Sequence, residues 1–549
     1  MAASIPVQPV IDYRLVNSGY HQMVELGSDN CTFRTYDATQ ATNQQISFQN
    51  ILQLGSGVLI DSVAFVEYNF SVVYPAAANI ILPGVSAAGA AVAPYTQVGA
   101  DAPTHCFSQY PLHLNSINGQ ITINNVSYGY NSAQLVAVTK EWSVSKALQE
   151  TLASNCPAKN STQAIEPASS TNLYPNSALV PVAQNQNTRA NIFATSVTLD
   201  NGVITANFTI REPVMLPPFT TPYRSQPALA QVQSLGLQYT LSSPNGFLHG
   251  AELTGTNVPS VNITSASLIL SYLTPDQSLS PIPALATYSF DSPDFQLTKV
   301  TNLPALGSSI DVQTTSQKLT TVPKLYCVKV CHQAQNLQMN TSNIPAFEIT
   351  NMQIQYGSYN TFIFSQQDLW VLFCKNSGNR SGLSYQQWRA LGCPVIINPV
   401  LDMTGVTFAG QQGDASLMWS NKITYTSKNI AEQDLTYDDV DLTSNTVYVI
   451  EVFLNNGSVS VGGGSCVWKN TSCTEAQLVD AVNSGSVPTD MSMKPADLSA
   501  GSLFGGLKNV FHHARRVAGV VRDALPTVQK GLDVLAGSGA SGGYMRKRR

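Results

Sequence analysis

From Val58 to Tyr74 the chain reads VLIDSVAFVEYNFSVVY, a run of β-branched and aromatic residues with neither Gly nor Pro. Side chains alternate faces along a strand, so this composition marks one long strand within a packed sheet. Similar runs span Ala190 to Leu199, Val203 to Arg211, Val261 to Tyr272, Lys324 to Val330, Phe347 to Tyr356 and Asn445 to Phe453. Gly, Pro, Asn and Asp punctuate them, as they do the ends of strands. Helical spacing is confined to a few places. Val138, Trp142, Ala147 and Leu148 predict a helix over Val136 to Leu152, and a weaker one covers Glu475 to Val482 with Thr474 as its N-cap.

Many strands with few helices predict a mainly β protein built of sandwiches and exclude a βαβ sheet. The Pro-rich stretch Leu273 to Ala286, LTPDQSLSPIPALA, divides the body into two strand-rich halves. The expected organisation is a first sandwich with loop insertions over 1–275, a second over 276–495, and a flexible basic tail over 496–549.

Charge sharpens this reading. Only 11% of residues are charged against 43% hydrophobic, where about 25% charged is usual. The polar surface is therefore made of Asn, Gln, Ser and Thr. Such a surface suits a protein that buries large areas against copies of itself, because charge is depleted from interface cores. The net charge of -5 is unevenly spread. From residue 501 onward stand nine basic residues, Lys508, Arg515, Arg516, Arg522, Lys530, Arg546, Lys547, Arg548 and Arg549, against two acids, Asp523 and Asp533. A mildly acidic body thus carries a basic tail.

Within that tail Leu507, Val510, Phe511, Ala514, Val517, Ala518 and Val521 recur at helical spacing and form one apolar stripe. The basic residues lie off the stripe. An amphipathic helix of this kind lies in a membrane interface or docks on a partner, and the terminal Arg-Lys cluster neutralises phosphates.

Catalytic signatures are missing: no Walker loop, no dinucleotide Gly motif, no His-Glu-x-x-His and no Gly-x-Ser-x-Gly. The chain is read as a non-enzyme without cofactor or metal. Asp434, Asp438, Asp439 and Asp441 lack calcium-loop spacing and read as a solvated loop. Cys327, Cys331 and His332 lack a fourth ligand, so the cysteines read as buried free thiols. Cys466 and Cys473 are expected to stay reduced. The opening MAASIPVQPVIDYRL has no basic or apolar segment of the secretory kind, and no uninterrupted run of about 20 apolar residues occurs.

Several segments carry a resemblance. SQYPLHLNSINGQITINNVSYGYNSAQLV, from Ser108 to Val136, resembles the place where double jelly-roll major capsid proteins join an FPL strand to an I-x-I-N-N hairpin. LGSGVLIDSVAFVEYNFSVVY resembles their long early strand, and REPVMLPPF, Arg211 to Phe219, the strand end leading into the second half of the first sandwich. SLILSYLTPDQ and KLTTVPKLYCVKV follow in the same order. The relatives are tailless icosahedral viruses with double-stranded DNA, in the polinton-like and adenovirus lineage.

The resemblance implies two jelly rolls in tandem and a structural protein of the virion, assembled inside the host cell. It also implies homotrimeric, pseudo-hexameric capsomers that tile a shell, with minor capsid proteins and a viral maturation protease as partners. The basic tail would face the genome or an anionic inner membrane. Leu503-Phe504-Gly505-Gly506 and Leu535-Ala536-Gly537-Ser538 resemble the cleavage patterns of adenovirus-type maturation proteases, which would cut between Gly506 and Leu507 and between Ser538 and Gly539. Two other readings fit the composition. One is an RNA-virus capsid protein with a single shell jelly roll, a protruding domain and a membrane-active C-terminal peptide. The other is a secreted β-sandwich adhesin.

Overall fold

The computed structural model describes residues 16–17, 20–21, 31–52, 57–78, 80–92, 105–108, 110–131, 192–219, 228–250, 259–275, 282, 284–301, 307–319, 321–332, 347–356, 360–377, 385–390, 392–403, 418–427 and 447–470. The expected helices at 136–152 and 475–482, the acidic cluster at 434–441 and the whole tail lie outside these residues.

The protein is mainly β, with two jelly rolls in tandem. The first pairs two antiparallel five-stranded sheets. One runs in the order Ser196–Asp200, Val203–Pro213, Leu59–Pro75, Ser260–Leu273, Cys31–Asp37. The other runs Gln40–Ala41, Gln45–Leu52, Ser234–Leu241, Ser116–Ile123, Val126–Tyr130. The expected long strand is Leu59–Pro75. Its alternate residues Ala64, Val66, Tyr68, Phe70, Val72 and Tyr74 are all buried, while the residues between them, except Ser71, are only partly so. Phe70 lies at the centre, with Phe107, Phe208 and Phe247 each 5.6 Å from its ring. Each such side chain contributes about 1.5–3 kcal/mol on burial.

The second jelly roll pairs the sheet Leu285–Val300, Val447–Gly462, Leu325–His332, Val395–Ile397 with the sheet Ser309–Gln313, Met418–Ser427, Phe347–Tyr356, Asn360–Ser365. Apart from the hairpin of Phe347–Tyr356 with Asn360–Ser365, neighbours in these two strand orders are distant in sequence, which is how jelly rolls are wound. A helix at Gln366–Asn376 packs against the Val395–Ile397 strand, with Leu369 and Phe373 in the second core. Sequence patterning had not marked this helix, yet Ser365 and Asp368 start it with a complete capping box.

Three hairpins use two-residue turns in which both φ angles are positive: Asn124-Asn125, Asn201-Gly202 and Gly463-Gly464. These residues tolerate the left-handed region and match the twist of the flanking strands. The first is the I-x-I-N-N hairpin.

Two expectations need correction. Pro111–Asn115, inside the segment compared with an FPL strand, is a single helical turn. Pro111 presets its first φ, and the buried Glu212 carboxylate accepts from the amides of Leu112 at 2.9 Å and His113 at 3.0 Å. The strand expected to end at Phe453 continues to Gly462. Asn455, Asn456 and Gly457 look like a turn but are held extended by pairing with Ser292, Asp291 and Phe290.

Chain order and core membership do not coincide. Val447–Gly462 pairs with Leu285–Val300 along its whole length, Leu285 opposite Gly462 and Val300 opposite Val447. Ala286, Tyr288, Phe290, Val459 and Val461 belong to the first core, whereas Val447, Val449, Val452 and Phe453 belong to the second.

At the crossing, a Cβ on Gly457 would fall 2.5 Å from the Phe290 ring. That ring is boxed by Tyr128 at 5.2 Å and Trp468 at 5.4 Å and has no room to swing aside. Gly457→Ala is therefore expected to destabilise the protein by about 1–3 kcal/mol, measured by denaturant unfolding.

Candidate functional site

The described residues that tie the two jelly rolls into one body lie at their junction. Tyr128, on the edge strand Val126–Tyr130 of the first barrel, stacks on Trp468 of the Ser465–Asn470 strand, with ring centroids 4.8 Å apart and planes 18° from parallel. Phe290 meets both rings edge-on. The Tyr128 hydroxyl pairs with Ser292 at 3.1 Å, and burial pushes its phenol upward, so it stays neutral.

Polar groups lock the same junction. Asn124 Oδ1 accepts from the amides of Gln233 at 2.7 Å and Ser234 at 3.2 Å. Its Nδ2 donates to the carbonyls of Gln231 at 3.0 Å and, across the junction, Ser465 at 3.4 Å. The Tyr288 hydroxyl donates to the Ala228 carbonyl at 3.1 Å and accepts from the Ala230 amide. Where the paired strands pass between the cores, Lys324 pairs with Asp291 at 3.3 Å, and Asn455 donates to Asp294 at 2.8 Å while accepting from Thr321 at 3.3 Å. Turn-like residues at this crossing satisfy each other's hydrogen bonds as the strand leaves one apolar core and enters the next.

Each core also holds one fully buried glutamate gripped by a tyrosine on the neighbouring strand. Glu212 accepts from Tyr68 at 3.0 Å and from His113 Nδ1 at 2.6 Å, besides the two amides of the helical turn. His113 Nε2 accepts from the Met215 amide at 3.0 Å, which places the ring proton on Nδ1. Both histidine nitrogens are therefore engaged in structure. Glu451 accepts from Tyr326 at 2.5 Å in the second core. The sequence signal for Glu451 is a lone Glu in the apolar run Val449 to Phe453, whereas Glu212 stands beside Arg211 and gives no such signal.

Cys327 and Cys466 are protected thiols. Cys327 is completely buried, and burial pushes its thiol up to about 12; Cys466 is pushed up to about 11. Such thiols are protonated and unreactive at neutral pH. The side chains of Cys331, His332 and Cys473 lie outside the described residues. Among the described residues no three His, Cys, Asp or Glu side chains gather as a metal site, and no helix is long and apolar enough to cross a membrane. Every tail residue assigned to binding, from Leu507 to Arg549, and both cleavage positions lie outside the description.

The missing charge of the sequence is visible on the outer faces. Neutral side chains pair across strands: Asn69 with Ser265 at 2.9 Å, Asn207 with Ser196 at 2.8 Å, Thr122 with Ser127 at 2.7 Å and Ser309 with Thr426 at 2.8 Å. Desolvating such groups against another subunit costs far less than desolvating ions.

No family model matches the sequence, and no curated protein matches it. Solved structures match in fold. A chain of the Sputnik virophage, solved by cryo-EM, aligns with a TM-score of 0.63 and 16% identity over 85% of this chain and 93% of that one. The mavirus major capsid protein aligns with a TM-score of 0.57 and 13% identity over 84% of this chain and 94% of its own. The shared property is the double jelly-roll fold.

If the aromatic cluster couples the barrels, Trp468→Ala should cost about 3 kcal/mol. Calorimetry should then resolve two unfolding transitions where the wild type shows one.

Proposed function

We propose that this chain is a major capsid protein that assembles as homotrimers with pseudo-hexagonal outlines into the icosahedral shell of a tailless virus. The observation that carries this reading is the fold match over at least 84% of this chain and 93% of each relative, one from a virophage and the other a major capsid protein. A protein of this kind acts by its shape. Its residues serve as a rigid, repeatable block, and a junction of stacked rings and satisfied hydrogen bonds suits that role.

The neutral outer faces support large subunit contacts. Trimers would close on themselves by symmetry, leaving further faces for the lattice and for minor capsid proteins. Two paired-sheet cores favour this reading over a capsid protein with one shell jelly roll and a protruding domain. The tail would face inward. Lys508, Arg515, Arg516, Arg522, Lys530 and the Arg546 to Arg549 cluster would bind genome phosphates or anionic lipid, each worth about 1 kcal/mol near a charged surface. The Leu507 to Val521 stripe would lie in a bilayer or on a partner.

Light scattering of the purified protein at micromolar concentration should report trimers; a stable monomer would refute the assembly reading. A chain lacking residues 501–549 should still form trimers but bind DNA and anionic vesicles more weakly than the full chain. Equal binding by the truncated body in moderate salt would remove the tail from this role.

Processing of the tail is part of the same reading. Intact-mass spectrometry of mature particles is expected to find chains ending at Gly506 or Ser538. Full-length chains ending at Arg549 in every copy would exclude cleavage.

A further inference from the structure

Val447–Gly462 carries one carboxyl inside an apolar stretch. Glu451 lies among Val449, Ile450, Val452 and Phe453, and it is completely buried. Its Oε1 accepts from the Tyr326 hydroxyl at 2.5 Å and from Asn421 Nδ2. Asn421 Nδ2 also donates to the Tyr326 oxygen at 2.6 Å. The remaining oxygens of the two side chains, Glu451 Oε2 and Asn421 Oδ1, are both buried, and neither receives a hydrogen bond from a described donor. The Thr314 hydroxyl beside them has a single proton to share between the Asn421 main-chain carbonyl at 3.3 Å and the Glu451 carboxyl.

An ionised carboxylate would leave both of these oxygens as buried acceptors, an unfavourable arrangement. One proton accounts for both. A carboxylic acid and a carboxamide have complementary edges: the amide N–H donates to one carboxyl oxygen, and the acid O–H donates to the amide oxygen.

We propose that Glu451 is carried as a neutral carboxylic acid that donates its proton to Asn421 Oδ1, closing a cyclic acid–amide pair, and that this pair makes the second barrel the alkali-sensitive half of the molecule. Burial, the largest influence on the group, raises the Glu451 carboxyl above its ordinary value, and the donors around it offset only part of that rise.

Among the described residues the surroundings offer no compensating cation. Leu325–His332 contributes the Tyr326 phenol, held well above its ordinary range, with the Cys327 thiol one residue on. On the other side Gln296 is opposite Glu451 in register and donates to the Thr315 carbonyl at 2.9 Å. The facing sheet supplies Thr314, Trp419 and Asn421, none of which titrates. Asp294, the nearest carboxyl in register, is engaged by Asn455.

The sign of the effect follows from the raised value. The folded chain keeps the proton at a pH where an unfolded glutamate has lost it. The contribution is fully present below the ordinary carboxylate value of 4.5 and declines as pH rises above it toward the folded value.

Glu451→Gln places an amide N–H where the acid O–H stood, and does so at every pH. From about pH 5 to about pH 8 the melting temperature of the wild type should fall relative to that of the variant. The variant should be more stable by roughly 3 °C at the upper end, with the gap closing in acid. The infrared band of a protonated carboxyl should be present in the wild type at neutral pH and absent from the variant. A gap that does not change with pH, or identical spectra, overturns the proposal. Hydrogen exchange of the wild type alone supplies a second readout if the variant does not fold. Protection of the amides of 447–454, corrected for intrinsic exchange, should be lower at about pH 8 than at about pH 5. Protection that is unchanged between the two overturns the proposal.

Discussion

One antiparallel pairing sets the relation between the two barrels. Leu285–Val300 and Val447–Gly462 pair over sixteen positions without a bulge. Because side chains alternate faces, a slip of one residue would turn Ala286, Tyr288 and Phe290 out of the first core and Val447 and Val449 out of the second at the same time. Each core therefore enforces the register that the other needs. Tyr128, Phe290 and Trp468 fill the space this register creates, and Gly457 leaves room for them.

This dual membership also explains where the sequence was readable and where it was not. Strands whose inner residues face a single core, such as Leu59–Pro75 and Phe347–Tyr356, show clean patterns and were recognisable directly. The two strands that cross between cores carry Asp291-Ser292-Pro293-Asp294 and Asn455-Asn456-Gly457 at the crossing. Such residues signal turns when read locally. Their extended form depends on partners more than a hundred residues away, which no local window contains. The helical turn at Pro111–Asn115 escaped for the same reason, since the carboxylate that accepts from its amides is Glu212. The low charge was legible from composition, but not its arrangement as neutral cross-strand pairs. The junction rings were invisible because their contact joins residues 128, 290 and 468.

The two buried glutamates solve one problem in different ways. Glu212 is surrounded by donors: a phenol, a ring N–H and two amides. Glu451 receives the Tyr326 phenol and Asn421 Nδ2 on one oxygen, and its other oxygen is buried without a described donor. The two barrels thus share an architecture and a tyrosine–glutamate contact between neighbouring strands, while the donors gathered around the two carboxyls differ. A buried polar group that is satisfied in only one arrangement excludes packings that an all-apolar core would tolerate.

The paired strands also have a mechanical meaning. A force that draws one barrel away from the other along the ribbon does not peel its hydrogen bonds apart one at a time. Each strand runs unbroken from one core into the other, so the load passes along two covalent backbones held side by side over the full overlap from Leu285 opposite Gly462 to Val300 opposite Val447. A covalent backbone does not unzip, and the inter-strand bonds serve to keep the two strands sharing the load. Under tension directed along these strands, the link between the barrels is therefore stiff, and strain is displaced to the loops and to contacts with neighbouring molecules.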